Sequence, residues 1–203
     1  MSPRATPMKP DERRRAIVDA VVPLLLEHGR SVTTRQIADA AGIAEGTIFR
    51  AFDCKEQIVD AALERAFDPA PLLDDIGRID ADQPLRDRMV DLTRVLQNRF
   101  VEIFGLMRAV GLVAPPRHLD ADESHSWRAK AHDLMVGLIA PDADRLRVPP
   151  EEVMRVLRLL TFSGSHREIS DGRLMTPEEI VDVVLHGTRL EVPPAAGRRE
   201  GRD

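Results

Sequence analysis

Residues 33–52, TTRQIADAAGIAEGTIFRAF, hold the side chains whose types and spacing could do chemistry. Thr33 with Gln36 three residues later is a capping-box pattern, in which a hydroxyl and an amide satisfy each other's open backbone donors at a helix start. Ile37 and Ala38 fall on the inner side of that helix. Ala41-Gly42-Ile43 then reads as a tight turn: Ala41 permits close helix approach, Gly42 takes a positive φ, and Ile43 closes the core. The next helix buries Ile48 and Phe52, four apart on one face, and leaves Glu45, Gly46, Thr47, Phe49 and Arg50 outside. Two short helices at a steep angle, the second open on one side, form a helix-turn-helix whose second helix can enter a DNA major groove. Lys55 strengthens that reading. A cation in the first turn of a helix opposes the macrodipole at a cost of roughly 0.3–1 kcal/mol. A phosphate there reverses the sign, because it meets both the ammonium and the free helix N–H groups. Plain readings stand beside these: a helix–glycine turn–helix also packs many all-helical proteins, and a lysine can simply be solvated.

The elements that must position these residues are helices. No stretch alternates apolar and polar residues as a half-buried strand would, and no Asn-Gly pair occurs. Apolar residues recur at three- and four-residue spacing instead, so the fold class is all-α. The spacing predicts helices over residues 11–28, 34–41, 45–52 and 55–67. Pro23 is expected to kink the first, because its ring crowds the carbonyl of Asp19. Pro69, Pro71 and Pro84 mark a loose segment. Further helices are predicted at 85–110, about 126–139, about 151–169, and a last one opened by Pro177. These elements divide into an N-terminal three-helix helix-turn-helix domain, residues 10–68, and a helical bundle, residues 69–191. The ends, 1–9 and 192–203, rich in Pro, Gly, Ala and Arg, are expected to be disordered.

Composition excludes several classes. Twenty-nine basic against 34 acidic side chains give −5, so the chain is not basic overall. Residues 1–55 hold nine Lys/Arg against seven Asp/Glu, leaving 20 against 27 beyond them; this permits a nucleic-acid role for the N-terminal part without arguing for it. Apolar runs fall far short of the roughly 18 residues of a membrane span. The basic start MSPRATPMKPDERRR leads into no apolar signal core, so a cytoplasmic protein is expected. One cysteine, Cys54, excludes an internal disulfide or a Cys-rich zinc site.

With EHG ending the first helix, TTRQIA, AAGIAEGTIF, Phe52 and KEQIVDAAL following in order, the sequence resembles the TetR family of one-component bacterial regulators over about residues 11–67. TPEEIVDVVLHG is similar to the last helix of many members. The resemblance implies a transcription regulator, not an enzyme: a ligand-responsive repressor that binds a palindromic double-stranded DNA operator as a homodimer and is released by a small apolar effector. It implies that Thr33 and Thr34, at the start of the second helix, meet phosphates by hydroxyl and backbone N–H, and that Arg35 beside them is a DNA-binding residue. Glu45, Gly46, Thr47, Phe49 and Arg50 would lie in the groove, and Lys55 would pin the flanking phosphate. Two departures bear on affinity: Phe49 stands where a phosphate-contacting tyrosine is usual, and Ala51 where His or Tyr is common. Cys54 takes the usual N-cap serine position, and Asp53, with Glu56 three residues on, offers a capping box instead.

The bundle is then expected to hold the effector and the dimer interface. Met89, Phe100, Phe104, Met107, Trp127, Met135, Phe162 and His166 are candidate pocket residues, although an apolar stripe is also what any packed helix shows. Leu157, Leu160, Gly164, Ile180, Val183 and Val184 give the last two helices apolar faces suited to an intermolecular four-helix bundle. His118, His125, His132 and His166 lack a partner cysteine, so no metal or cofactor is called for. Ser163 or Ser165 near His166 lacks the strand–turn–helix elbow of a serine nucleophile. The rival reading is a small helical enzyme or metal-binding protein that uses the helix-turn-helix structurally.

Overall fold

The computed structural model describes residues 9–113 and 123–188. Among these the chain is helical and forms no strand: α1 (Pro10–His28), a 3₁₀ turn (Gly29–Ser31), α2 (Thr34–Ala41), α3 (Glu45–Ile48), α4 (Lys55–Phe67), α5 (Ala70–Gly77), α6 (Leu85–Val110), α7 (Glu123–Gly137), a 3₁₀ stretch (Ala140–Arg145), α8 (Pro150–Ser165) and α9 (Pro177–Thr188). No described helix is long and apolar enough to cross a membrane. The expected disordered ends and His118 lie, apart from Lys9, outside the described residues.

The helices group into two compact units. The first takes the described residues up to Asp75 together with those of Asn98–Ala131; the second takes Ile76–Gln97 and the described residues from His132 onward. The first unit thus exceeds the 10–68 segment marked by sequence, because the second half of α6 packs into it. Its core joins Ile17, Val21 and Leu25 of α1 to Ile37, Ile48, Phe52, Ile58 and Leu63, with Leu106 and Val110 of α6. Each such aliphatic side chain, taken fully out of water, is worth about 1.5–3 kcal/mol. α1 runs through the exposed Pro23 as one helix.

Two elements differ from expectation for identifiable reasons. The segment after Phe67 is not loose: α5 forms there. Asp68 Oδ1 accepts the Ala70 N–H at 2.9 Å, and Pro71 sits in the first turn, where its missing donor costs nothing. The prolines open this helix rather than break it. α8 ends at Ser165 instead of Ile169. His166 turns extended, and the Gly164 carbonyl accepts from Met175 N–H at 3.0 Å.

In the second unit α8 packs against α9. Of the residues expected at a dimer interface, Leu157, Ile180 and Val184 are buried within the single chain, and the Cα of Gly164 faces the Met175 side chain, which would stand 3.2 Å from a Cβ. The stripe read as awaiting a second copy is largely covered by the chain itself. Leu160 is half-buried; Val183 remains 58% exposed, beside Leu159 at 51% and Phe162 at 41%.

Candidate nucleic-acid interface

The local build of the motif matches its sequence closely. Thr33 caps α2: its Oγ1 accepts from Gln36 N–H at 3.2 Å, while Gln36 Oε1 accepts from Thr33 N–H at 2.9 Å. Past the other end, Gly42 adopts φ 66° and ψ 32°. Gly42 N–H donates to Asp39 O at 3.2 Å and Ile43 N–H to Ala38 O at 3.0 Å, the paired bonds of a Schellman closure. Ile43 is then drawn onto the core, as its type predicts.

α3 is shorter than expected, spanning Glu45–Ile48, with turns carrying the chain to Phe52. Gly46 and Thr47 are weak helix formers, and Ala44 supplies no capping oxygen, so the regular part stops early. Bonds from Arg50 N–H to Thr47 O and from Ala51 N–H to Ile48 O tighten the turns between Ile48 and Phe52. The two faces nonetheless separate as expected. Ile48 and Phe52 are buried, whereas Glu45, Gly46 and Arg50 are exposed, Phe49 is 53% exposed and Thr47 half-buried. A Cβ at Gly46 would meet nothing within 4 Å. The Phe52 ring is held from behind by the Arg14 guanidinium, 4.1 Å over its centroid, which also donates to Ala51 O at 2.9 Å.

The threonine hydroxyls are committed. Thr34 Oγ1 donates to Glu45 Oε1 at 2.5 Å, clasping α2 to α3, and Thr33 Oγ1 donates to Gln36 Oε1 at 2.8 Å. A phosphate oxygen carries no proton, so a phosphate at this helix start would be met by backbone N–H groups unless those bonds exchange. Arg35 is exposed.

Lys55 stands at the start of α4 as expected, and its Nζ donates to Arg30 O at 3.0 Å. Two of its three N–H donors are left for another acceptor. The expected Asp53–Glu56 box is replaced: Asp53 N–H donates to Gln57 Oε1 and Gln57 Nε2 to Asp53 Oδ2, while Cys54 holds the N-cap without a side-chain bond to the backbone of the first turn. The Glu56 carboxyl lies below its ordinary range, first through its own backbone N–H and then through the Cys54 side chain.

The candidate pocket residues divide between the units. Phe100 and Phe104 stack at 6.0 Å in the first, which also contains half-buried Met107 and Trp127. Met89 and Met135 are buried in the second, where Phe162 is exposed and His166 half-buried. The stripe of α6 runs through both cores, and periodicity does not reveal where one ends.

Residues 17–62 match the family described as "Bacterial regulatory proteins, tetR family". The chain is 44% identical over 57 residues to the HTH-type transcriptional repressor KstR2 of Rhodococcus jostii (strain RHA1), a stretch covering 28% of each chain. It is 36% identical over 64 residues to KstR2 of Mycolicibacterium smegmatis, 31% of each. The match thus spans under a third of these relatives' length. Among solved structures, the TetR transcriptional regulator SCO0520 from Streptomyces coelicolor superposes with TM-score 0.53 at 22% identity, over 87% of this chain and 98% of that one. SmeT in complex with triclosan gives 0.54 at 22%, over 94% and 98%. At that identity the likeness is one of fold.

Proposed function

We propose that this chain, a member of the tetR family of bacterial regulatory proteins, is a ligand-responsive transcriptional repressor that reads a palindromic operator as a homodimer. The observation that carries the reading is the turn closed by Gly42, which presents α3 with its apolar side in the core and Glu45, Gly46, Phe49 and Arg50 in the open. Selection of bound duplexes from random DNA tests it. A recurring inverted repeat is expected, since one half-site per subunit makes operator symmetry mirror the protein's two-fold axis. Failure to enrich any sequence would remove the proposal.

Arg50 is the side chain best suited to a guanine edge. Arg50→Ala should lose about 1–3 kcal/mol of discrimination between the selected site and its point variants. Uniform weakening with intact preference would instead make Arg50 a phosphate contact. Lys55→Ala should weaken all duplexes alike and lower the slope of log affinity against log salt by about 1; an unchanged slope would show that Lys55 does not touch phosphate.

Dimerisation by α8 and α9 has to use the side chains left uncovered: Leu159, Phe162 and Val183 rather than Leu157, Ile180 and Val184. Sedimentation should give a dimer at micromolar concentration, and Val183→Glu should shift it to monomer. A wild-type monomer would reject this part.

The effector is a small apolar molecule. Seven Met, six Phe, one Trp and no Tyr furnish deformable walls with few hydroxyl donors. The solved relative SmeT is described in complex with triclosan. Release requires an effector that prefers one separation of the two reading heads, and linkage makes DNA weaken effector binding by the same factor.

A further inference from the structure

We infer that Arg30 is a positioning residue for DNA binding, acting through Lys55; this rests on the DNA-binding reading above. Arg30 lies in the 3₁₀ turn between α1 and α2. Its Nε donates to Val110 O at 3.0 Å. Val110 is the last residue of α6, where carbonyls lack a helical partner and a cation meets the negative end of the macrodipole. The backbone oxygen of the same Arg30 accepts the Lys55 ammonium at 3.0 Å. One residue therefore links the end of α6 to the lysine at the start of α4. Beside it, Gly29 backs onto Ala109 so closely that a Cβ would lie 2.3 Å from that carbonyl oxygen. Three residues beyond Arg30, Thr33 caps α2.

The side chain thus fixes the turn, and the turn fixes where the Lys55 acceptor stands. Without the Arg30–Val110 bond the carbonyl of Arg30 remains, but its position is free to drift. The ammonium that it orients then samples more placements, and fewer of them meet a phosphate. An arginine that touched DNA itself would behave differently. Its removal would cost affinity whether or not Lys55 were present.

A double-mutant cycle separates these cases. Wild type, Arg30→Ala, Lys55→Ala and the double variant are titrated with the duplex enriched by selection, at several salt concentrations, after thermal unfolding has shown each to be folded. Lys55→Ala is expected to weaken binding roughly three- to tenfold, Arg30→Ala somewhat less, and the double variant no more than Lys55→Ala alone. Arg30→Gln is the second arm: its Nε2 sits at the reach of the arginine Nε, keeping the N–H donor while removing the charge. It should bind as wild type; if Arg30→Ala fails to fold, Arg30→Met, which keeps the side-chain length but has no N–H donor, takes its place in the cycle. Additive losses, unchanged binding in Arg30→Ala, or a loss in Arg30→Gln equal to that in Arg30→Ala would each overturn the inference. If wild type enriches no duplex, the parent reading has failed instead.

Discussion

Replacing Arg88 by Met should destabilise the second unit by about 3 kcal/mol, at the low end of the 3–5 kcal/mol seen when one partner of a buried ion pair is removed. Its guanidinium is 6% exposed and donates from Nε to Leu138 O at 2.8 Å and from Nη1 to Ala81 O and Gln83 O at 3.1 and 2.6 Å. Nη2 pairs with Asp142, itself 13% exposed, whose other oxygen accepts from Arg145 at 2.6 Å. Methionine fills much of the volume but returns none of these bonds. Ala81 is exposed and Gln83 half-buried, so their carbonyls regain water at little cost. Leu138 is buried, and Asp142 keeps only its exposed arginine, so those two groups set the size of the loss. Lysine is no remedy, since a single ammonium cannot reproduce the fork.

The same pair fixes a pH dependence. Burial raises the Asp142 carboxyl, but bonds from Arg145 and Arg88 outweigh it, so the group lies below its ordinary range. Its contribution is therefore complete above the ordinary carboxylate range and is lost as pH falls through the lowered folded value. Urea unfolding should show the gap between wild type and Arg88→Met narrowing on acidification. A gap that is small at pH 7, or constant with pH, would mean that the pair contributes little.

How far the sequence foretells the molecule depends on whether a signal is local. α2, α4 and α6 have the bounds that their patterns predict, because caps and turn residues such as Thr33, Gln36 and Gly42 act within a few positions of themselves. α5 is missed because Pro69 and Pro71 can start a helix as readily as end one. The inward face of the motif is legible for the same local reason: Ile48 and Phe52 lie one turn apart. What the pattern lacks is the identity of the neighbour. Leu157, Ile180 and Val184 form an amphipathic stripe whether their partner is this chain or another, and only the fold reveals that it is this one. Arg88 and Arg30 look like solvated charges on helix and turn. Their acceptors, Leu138 O and Val110 O, lie 50 and 80 residues away and are backbone atoms, to which sequence is blind.

Gly29→Ala should cost more than about 3 kcal/mol, from two sources that a second glycine separates. Gly29 holds φ 56° and ψ −143°, a combination that costs an L-residue roughly 1–3 kcal/mol. In addition its Cβ would sit 2.3 Å from Ala109 O and 3.4 Å from the carbonyl carbon. Both are backbone atoms near the end of α6, so no side-chain rotation relieves the clash. Either the turn or the helix end must move, and moving either breaks the Arg30–Val110 bond beside it. Gly42 supplies the control. It too has positive φ, at 66°, but a Cβ there meets nothing within 4 Å. Gly42→Ala should therefore pay only the left-handed penalty of about 1–2 kcal/mol. Denaturant titration of both variants reads the difference directly. Equal losses would mean that the end of α6 yields freely, and with it would go the tight seat that holds Arg30, and through it Lys55, in place.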